Sequence, residues 1–388
     1  MRTGIWLVGG RGSVAASTVA GAAAVRAGLL PPTGVVSELA AFRDVPLPAF
    51  EDLVFGGHDP TTTGLVKRVE RLAADGVVPP GLPGLVRPDL EAADAEIRPG
   101  LTGAGHPAGT ADAAVDALAA DIADFRSRTG ADSVVVVNVA TTEPPARPHP
   151  AHASWELLEA ALRRPDGTDV LPVSSLYACA ALRAGCPFVD FTPSAGARLP
   201  ALDELARRRG LAYAGSDGKT GETLVKSVLA PMFARRALRV RSWSGTNLLG
   251  GGDGAALADP RRAAAKIRSK DRLLREQLGG PVQGGVHIHE VADLGEWKTA
   301  WDHVAFEGFL GARMTLQFVW QGCDSALAAP LVLDLARFMA LAHRAGVAGP
   351  VPELGFFFKD PVASDEHALD RQFDTLVDWT HRLAEAVR

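Results

Sequence analysis

The chain has 388 residues, 22% of them charged, with a formal net charge of −5. That length supplies core for one large or two ordinary domains, and the slightly acidic balance, with basic residues in short clusters such as Arg207–Arg209, argues against nucleic acid as a partner. The opening apolar run is too short and too broken by Gly9, Gly10 and Gly12 for a signal peptide or a membrane span, and Cys179, Cys186 and Cys323 form neither a disulfide framework nor a metal-spaced set. A soluble, reduced, cytoplasmic setting with buried thiols is the expectation.

Ile5–Val8 reads as a buried strand running into glycines, and the alanine-rich stretch Val14–Leu30 as a helix, the opening of a βαβ unit. Asp52–Asp59 repeats the strand-then-glycine pattern, and the Pro- and Gly-rich residues 75–108 read as an irregular excursion. Ser133–Asn138 is an unbroken β-branched run, which predicts a strand buried on both faces. Helices over Trp155–Arg164, Tyr177–Gly185 and Leu199–Arg209 alternate with strands Pro187–Phe191 and Leu211–Ala214. This alternation predicts an α/β fold with a parallel, doubly wound sheet. After residue 220 the pattern changes. Glu222–Phe233 spaces its apolar residues as an amphipathic helix, and Arg239–Trp243, Gly285–Val291, Ala300–Phe309 and Arg313–Trp320 read as strands of a second, open sheet. A long helix over Leu327–Ala345 and a strand edge at Leu354–Lys359 complete the chain.

Gly10-x-Gly12-x-x-Ala15 lies between a strand and a helix, the context in which glycines let backbone N–H groups approach a pyrophosphate at a helix N-terminus. Asp59, ending the next strand, is the candidate for the ribose, with a turn-forming aspartate as the bland alternative. Ala140-Thr141-Thr142 and Thr192 follow strand ends, where open α/β sheets bind ligands; Thr142 could equally cap a helix. Ser216–Thr220 precedes the helix at Glu222, with Lys219 in the turn at a strand end and Lys226 on a helix face that usually faces water. His287 and His289 share one strand face, but no third ligand is suggested nearby, so a metal is not expected; Cys323 lacks an evident histidine partner. Lys270, Lys298 and Lys359 stand far apart in sequence, and spacing alone leaves each a surface lysine.

Taken together, Leu7-Val-Gly9, Phe55–Asp59, Ala140–Glu143, Ser174–Pro187, Ala214–Leu229, Gly250–Gly254, Arg268-Ser-Lys270 and Cys323-Asp-Ser325 resemble the myo-inositol-1-phosphate synthase family. The resemblance implies a Rossmann-like NAD-binding domain from residues 1–222 and 324–388, and a catalytic, tetramer-forming domain with an open sheet from residues 223–323. It implies catalytic NAD and a sugar-phosphate substrate: oxidation at C5 of a hexose 6-phosphate, enolisation, aldol ring closure and return of the hydride. The catalytic set expected on this basis is Lys270, Lys298, Lys359, Lys219 and Asp302. The expected cofactor set is Gly9, Gly10, Arg11, Gly12, Ser13, Asp59, Ala140, Thr141, Thr142, Thr192, Asp217, Thr220, Asp253, Ser269, Glu296 and Asp324. Fixed cations would stabilise oxyanions as they develop.

The chain departs from the family pattern at several positions. Gly251 and Gly252 replace two asparagines, Leu274 a lysine and Glu296 an aspartate; His58 stands where an aromatic residue is common, and Arg11 and Ser13 alter the glycine loop. Glucose 6-phosphate is the favoured substrate. Fructose 6-phosphate, which would give a cyclopentane, and a non-catalytic NAD-binding paralogue are the alternatives.

Overall fold

The computed structural model describes residues 1–101, 109–165, 167–250, 277–278 and 282–388. The apolar runs of the first half pair in parallel as β1 (Thr3–Val8), β2 (Leu53–Asp59), β3 (Ile97–Pro99), β4 (Ser133–Asn138), β5 (Phe188–Asp190) and β6 (Ala212–Gly215), in the order β3-β2-β1-β4-β5-β6. Every residue of β1 and β4 is buried. The period-two alternation of a strand sorts these residues onto two faces. Ile5, Leu7, Val135 and Val137 enter one core, and Trp6, Val8, Val134 and Val136 enter the other. The first core packs α1 (Ser13–Arg26), α2 (Leu65–Ala74), α3 (Leu82–Leu85) and α4 (Arg87–Ala95); the second packs α5 (Ala111–Thr129), α6 (Trp155–Leu162), α7 (Val173–Arg183) and α8 (Pro200–Arg209). This is the doubly wound parallel sheet that the sequence predicts, and its strand order is that of nucleotide-binding folds.

α9 (Gly221–Arg235) leads into a mixed sheet of β7 (Arg239–Leu249), β8 (Val286–Glu290), β9 (Trp297–Glu307) and β10 (Arg313–Cys323), ordered β10-β9-β7-β8. Ala230 and Phe233 of α9 cover one face by packing on Trp243 and Val304. On this sheet Trp301 is 41% and Val319 62% exposed. β10 runs straight into α10 (Asp324–Arg344), which returns to the first sheet and buries Phe338 and Met339 completely. By length and composition α10 is apolar enough to cross a bilayer, but its apolar side chains are committed to this core. β11 (Gly349–Pro350) then pairs with β6, and α11 (Leu369–Ala386) closes the chain.

Two sequence expectations fail here for physical reasons. Part of the stretch 75–108, read as irregular, contains α3, α4 and β3. Its prolines Pro83 and Pro88 lie in the first turns of α3 and α4, where a missing N–H costs nothing. Leu354–Lys359, read as a strand edge, is instead largely a 3-10 turn over Pro352–Phe357 that buries Leu354 and Phe357. A short apolar run does not distinguish a buried strand from a buried helical turn.

β2 lies so close to β1 that a Cβ on Gly57 would sit 2.1 Å from the Leu7 carbonyl oxygen. Gly57→Ala should therefore destabilise the fold by about 3 kcal/mol. Denaturant unfolding measures this, and a variant as stable as the parent would contradict the packing.

Candidate functional site

The strand order reverses direction between β1 and β4, and the loops leaving these two strands open a cleft at their carboxyl ends. Gly9 adopts φ +86°, and a Cβ there would meet the Ala140 Cα at 2.8 Å, so the glycine turn closes directly on the loop after β4. Gly9 and Gly10 both donate their N–H groups to the His58 carbonyl oxygen. Gly12 precedes α1, which has no side-chain cap among the described residues, leaving its first-turn N–H groups available to an anion.

A cavity of about 630 Å³ runs from this turn to the second sheet. Gly9, Arg11, Gly12 and Ser13 line it from the turn, and Ala140, Thr141 and Thr142 from the loop after β4. Asp59, Thr192, Asp217, Thr220, Glu296 and Asp324 also line it, joined by Lys298 and Lys359. Gly10 does not; a Cβ there would meet the Leu7 carbonyl oxygen and the Ile97 side chain instead. Ser13 Oγ donates to Glu296 Oε1 at 2.7 Å, tying the glycine turn to the second sheet across the opening.

Asp59 ends β2, as expected, but its carboxylate organises the loop. Oδ2 accepts the Arg11 N–H at 2.8 Å, and Oδ1 accepts the N–H and O–H of Thr61 at 2.7 and 2.6 Å. Buried His58 has a defined tautomer. The Trp6 indole N–H can only donate, so Nδ1 accepts from it at 3.0 Å, and Nε2 carries the proton toward Asp121 Oδ2, 3.0 Å away. His58 and Tyr177 form part of the wall. Tyr177 accepts the Leu101 N–H through its hydroxyl, and burial raises the pKa of that phenol.

At the far end two lysines converge. Lys298, on β9, pairs with Asp324 Oδ1, which also accepts the Thr220 hydroxyl at 3.1 Å. Lys359 donates to Asp217 Oδ1 at 2.7 Å, with both side chains at most 7% exposed. Both ammonium-bearing residues also line a small adjoining cavity of about 10 Å³, together with Thr223, Asn247 and Glu222. A space of that size holds about one water molecule.

Two residues expected in the catalytic set lie away from the main cavity. Lys219 is 3% exposed, gives its ammonium nitrogen to Gln372 Oε1 and lies 5.8 Å from the centre of the Phe356 ring; burial lowers its pKa to about 7. Asp302 is fully buried behind the site, accepting the Trp243 N–H at 2.7 Å and facing Lys226 at 3.2 Å, with Glu222 on the same lysine. Burial raises the Asp302 pKa. Lys226, read as a solvated lysine, is likewise fully buried. Asp253, Ser269 and Lys270 lie outside the described residues. So do the departures at Gly251, Gly252 and Leu274.

Sequence reasoning passed over Asp190, the fully buried end of β5. Its Oδ1 accepts the N–H and hydroxyl of Thr192 at 2.9 and 2.7 Å and the Asn138 amide at 3.2 Å. Asn138 in turn accepts the Ala140 N–H. One carboxyl thus holds both loops that form this wall. Its only sequence signal was its place at the end of an apolar run.

The glycine cradle, the uncapped helix start and the hydroxyl-bearing loops fit a dinucleotide. The loop after β2, beside the glycine turn, suits the adenosine half of the dinucleotide, and the lysine end suits the nicotinamide and substrate. The model of the myo-inositol-1-phosphate synthase family matches residues 3–381. Inositol-3-phosphate synthase 1 of Bacteroides thetaiotaomicron is 33% identical over 97% of this chain and 93% of its own length. The protein of the same name from Oryza sativa subsp. japonica is 29% identical over 77% of this chain, which spans 62% of that relative. The crystal structure of inositol-3-phosphate synthase from Caenorhabditis elegans superposes with a TM-score of 0.85 at 22% identity, covering 99% of this chain and 86% of that one. At that identity the superposition speaks to the fold.

Two buried groups set a pH dependence of stability. Burial raises the Asp190 pKa from 3.8 to about 7, against the opposing Thr192 hydrogen bonds. Its stabilising share is therefore complete below pH 3.8 and is lost as pH rises through about 7. Lys219, lowered from 10.5 to about 7, contributes fully above pH 10.5 and loses that share as pH falls through about 7. Thermal unfolding across pH should show Asp190→Asn flattening the acid-side slope and Lys219→Met the alkaline-side slope. Unchanged slopes would rule out these titrations.

Proposed function

Because this chain belongs to the myo-inositol-1-phosphate synthase family, whose enzymes depend on NAD, we propose that it closes a carbocyclic ring on a hexose 6-phosphate, with glucose 6-phosphate as substrate. The observation that carries this reading is the convergence of Lys298 and Lys359, 61 positions apart by their numbers, on the cavity that begins at the glycine turn. When bound, NAD supplies a hydride acceptor and later a hydride donor.

The residues of the chain would divide the remaining work. The glycine turn and the start of α1 hold the pyrophosphate, and the hydroxyl-bearing loops at Thr141, Thr142 and Thr192 hold the reactive end. Lys298 and Lys359 face the substrate oxygens. Oxidation at C5 acidifies the hydrogen on C6, and its removal leaves enolate charge on the C5 oxygen. An ammonium group beside that oxygen stabilises the charge, and again stabilises the alkoxide formed when C6 attacks the carbonyl carbon. A lysine can also take up and return the proton. Asp324 and Asp217 orient the two ammonium groups before substrate arrives. Residues 1–222 with 324–388 would form the NAD domain and residues 223–323 the catalytic domain. The exposed apolar side chains Trp301 and Val319 support a tetramer interface on the second sheet.

Incubation of the protein with NAD and glucose 6-phosphate, followed by NMR of the product, should yield a six-membered cyclitol phosphate without net NADH. A five-membered product from fructose 6-phosphate would instead make the ketose the substrate. No ring product from either sugar would refute cyclisation. Lys298→Ala should lower turnover by roughly 10³-fold while NAD affinity changes by no more than about threefold, because the loss falls on transition-state stabilisation. Unchanged turnover would remove Lys298 from the mechanism.

A further inference from the structure

We propose that Arg68 forms a subsite for a phosphate on the 2′-hydroxyl of the adenosine ribose, so that this chain binds NADP as well as NAD. The inference rests on the dinucleotide placement argued above, with adenosine toward the end of β2.

An acidic residue at that strand end ordinarily favours NAD, because its carboxylate accepts the ribose hydroxyl and repels a phosphate, whereas a nearby arginine accommodates the phosphate. Asp59 is poorly placed to exclude one. Its two oxygens already accept three hydrogen bonds, from the Arg11 N–H of the glycine turn and from the Thr61 N–H and hydroxyl of its own loop, so its lone pairs are largely committed to the protein.

Two arginines line this part of the cavity, Arg11 in the glycine turn and Arg68 on α2. Arg11 is neutralised: its Nε donates to Asp94 Oδ1 at 2.8 Å and its Nη1 to the Thr61 carbonyl oxygen at 2.9 Å. Arg68, near the start of α2, is held differently. Its Nε donates to the Arg11 carbonyl oxygen at 3.1 Å, and its terminal nitrogens have no partner among the described residues. The side chain is half-buried and lines the cavity. A guanidinium anchored through Nε, with its terminal nitrogens available, is preset for bidentate contact with phosphate oxygens and has already lost much of its rotamer freedom.

Isothermal titration of the full chain with NAD and with NADP, at matched ionic strength, tests this. The parent should bind NADP with a Kd within about tenfold of that for NAD, and Arg68→Ala should weaken NADP selectively by about tenfold or more. NAD binding by the variant reports that it is folded. A parent that binds NADP more than about tenfold more weakly than NAD overturns the subsite, as does a folded variant that affects both dinucleotides equally or neither. If the parent binds neither dinucleotide, the dinucleotide site itself fails and the subsite with it. NAD binding without NADP binding removes the subsite alone.

Discussion

Main-chain clamping of the turn Ser216–Thr220 against Phe357–Asp360 fixes the geometry on which the site depends. Ser216 donates its N–H to the Asp360 carbonyl oxygen, Lys359 to Asp217 and Lys219 to Phe357, at 2.9, 2.7 and 2.8 Å. Asp217 is held at φ +62°, a left-handed conformation that costs a non-glycine residue about 1 kcal/mol and that the clamp over-determines. The turn ends β6 on one side and starts α9 on the other. The clamp therefore sets the end of the first sheet, the origin of the helix beneath the second sheet and the position of Lys359 together. Without it, the Lys359–Asp217 pair would have no fixed relation to the glycine turn.

Three lysines near α9 show how burial and neighbours assign different roles to one residue type. Lys219 is buried with the neutral amide of Gln372 and an aromatic ring, and desolvation without a carboxylate pushes its pKa down to about 7. Lys226 is equally buried, yet Glu222 and Asp302 outweigh desolvation and raise its pKa. Its cation is shared between two carboxylates, so removing one member of the cluster would leave uncompensated buried charge. Lys298, with one carboxylate and 11% of its side chain exposed, borders both the cavity and its small annex. Of the three, it can exchange a carboxylate for an incoming anion without first unpacking a core.

The fold was legible where one physical rule dominated. The β-branched run Ser133–Asn138 has no other home than a buried parallel strand, and glycines between a strand and a helix announce the turn at Gly9–Gly12. The second sheet was legible from alternation, although β7 runs to Leu249, six residues beyond the predicted strand. The site was legible less from the residues than from family likeness, because convergence is a tertiary fact: nothing local in Lys298 or Lys359 distinguishes it from a surface lysine. Lys219 and Asp302 were expected in the catalytic set, and the structure sets both away from the main cavity, because a motif does not fix the direction of a side chain. The place of Asp59 at a strand end suggested a ribose ligand, whereas its hydrogen bonds could be assigned only once the Arg11 and Thr61 backbone had been placed.

Gly221 explains why a strand of the second sheet can deliver an ammonium group to this point at all. It opens α9 at φ +55°, and a Cβ there would lie 3.0 Å from Lys298 Nζ. Any larger residue would displace the ammonium group, so the glycine is required by both backbone and space. A helix N-terminus is nevertheless a poor place for a cation, because its own partial charge is positive. Asp324 resolves the conflict from the opposite element: as the first residue of α10 it is favoured by that helix's positive end, and it reaches Lys298 and Thr220 together. The ammonium group is thus held between a repelling helix end and one attracting carboxylate. In the proposed reaction that balance leaves it responsive to any further negative charge that develops beside it.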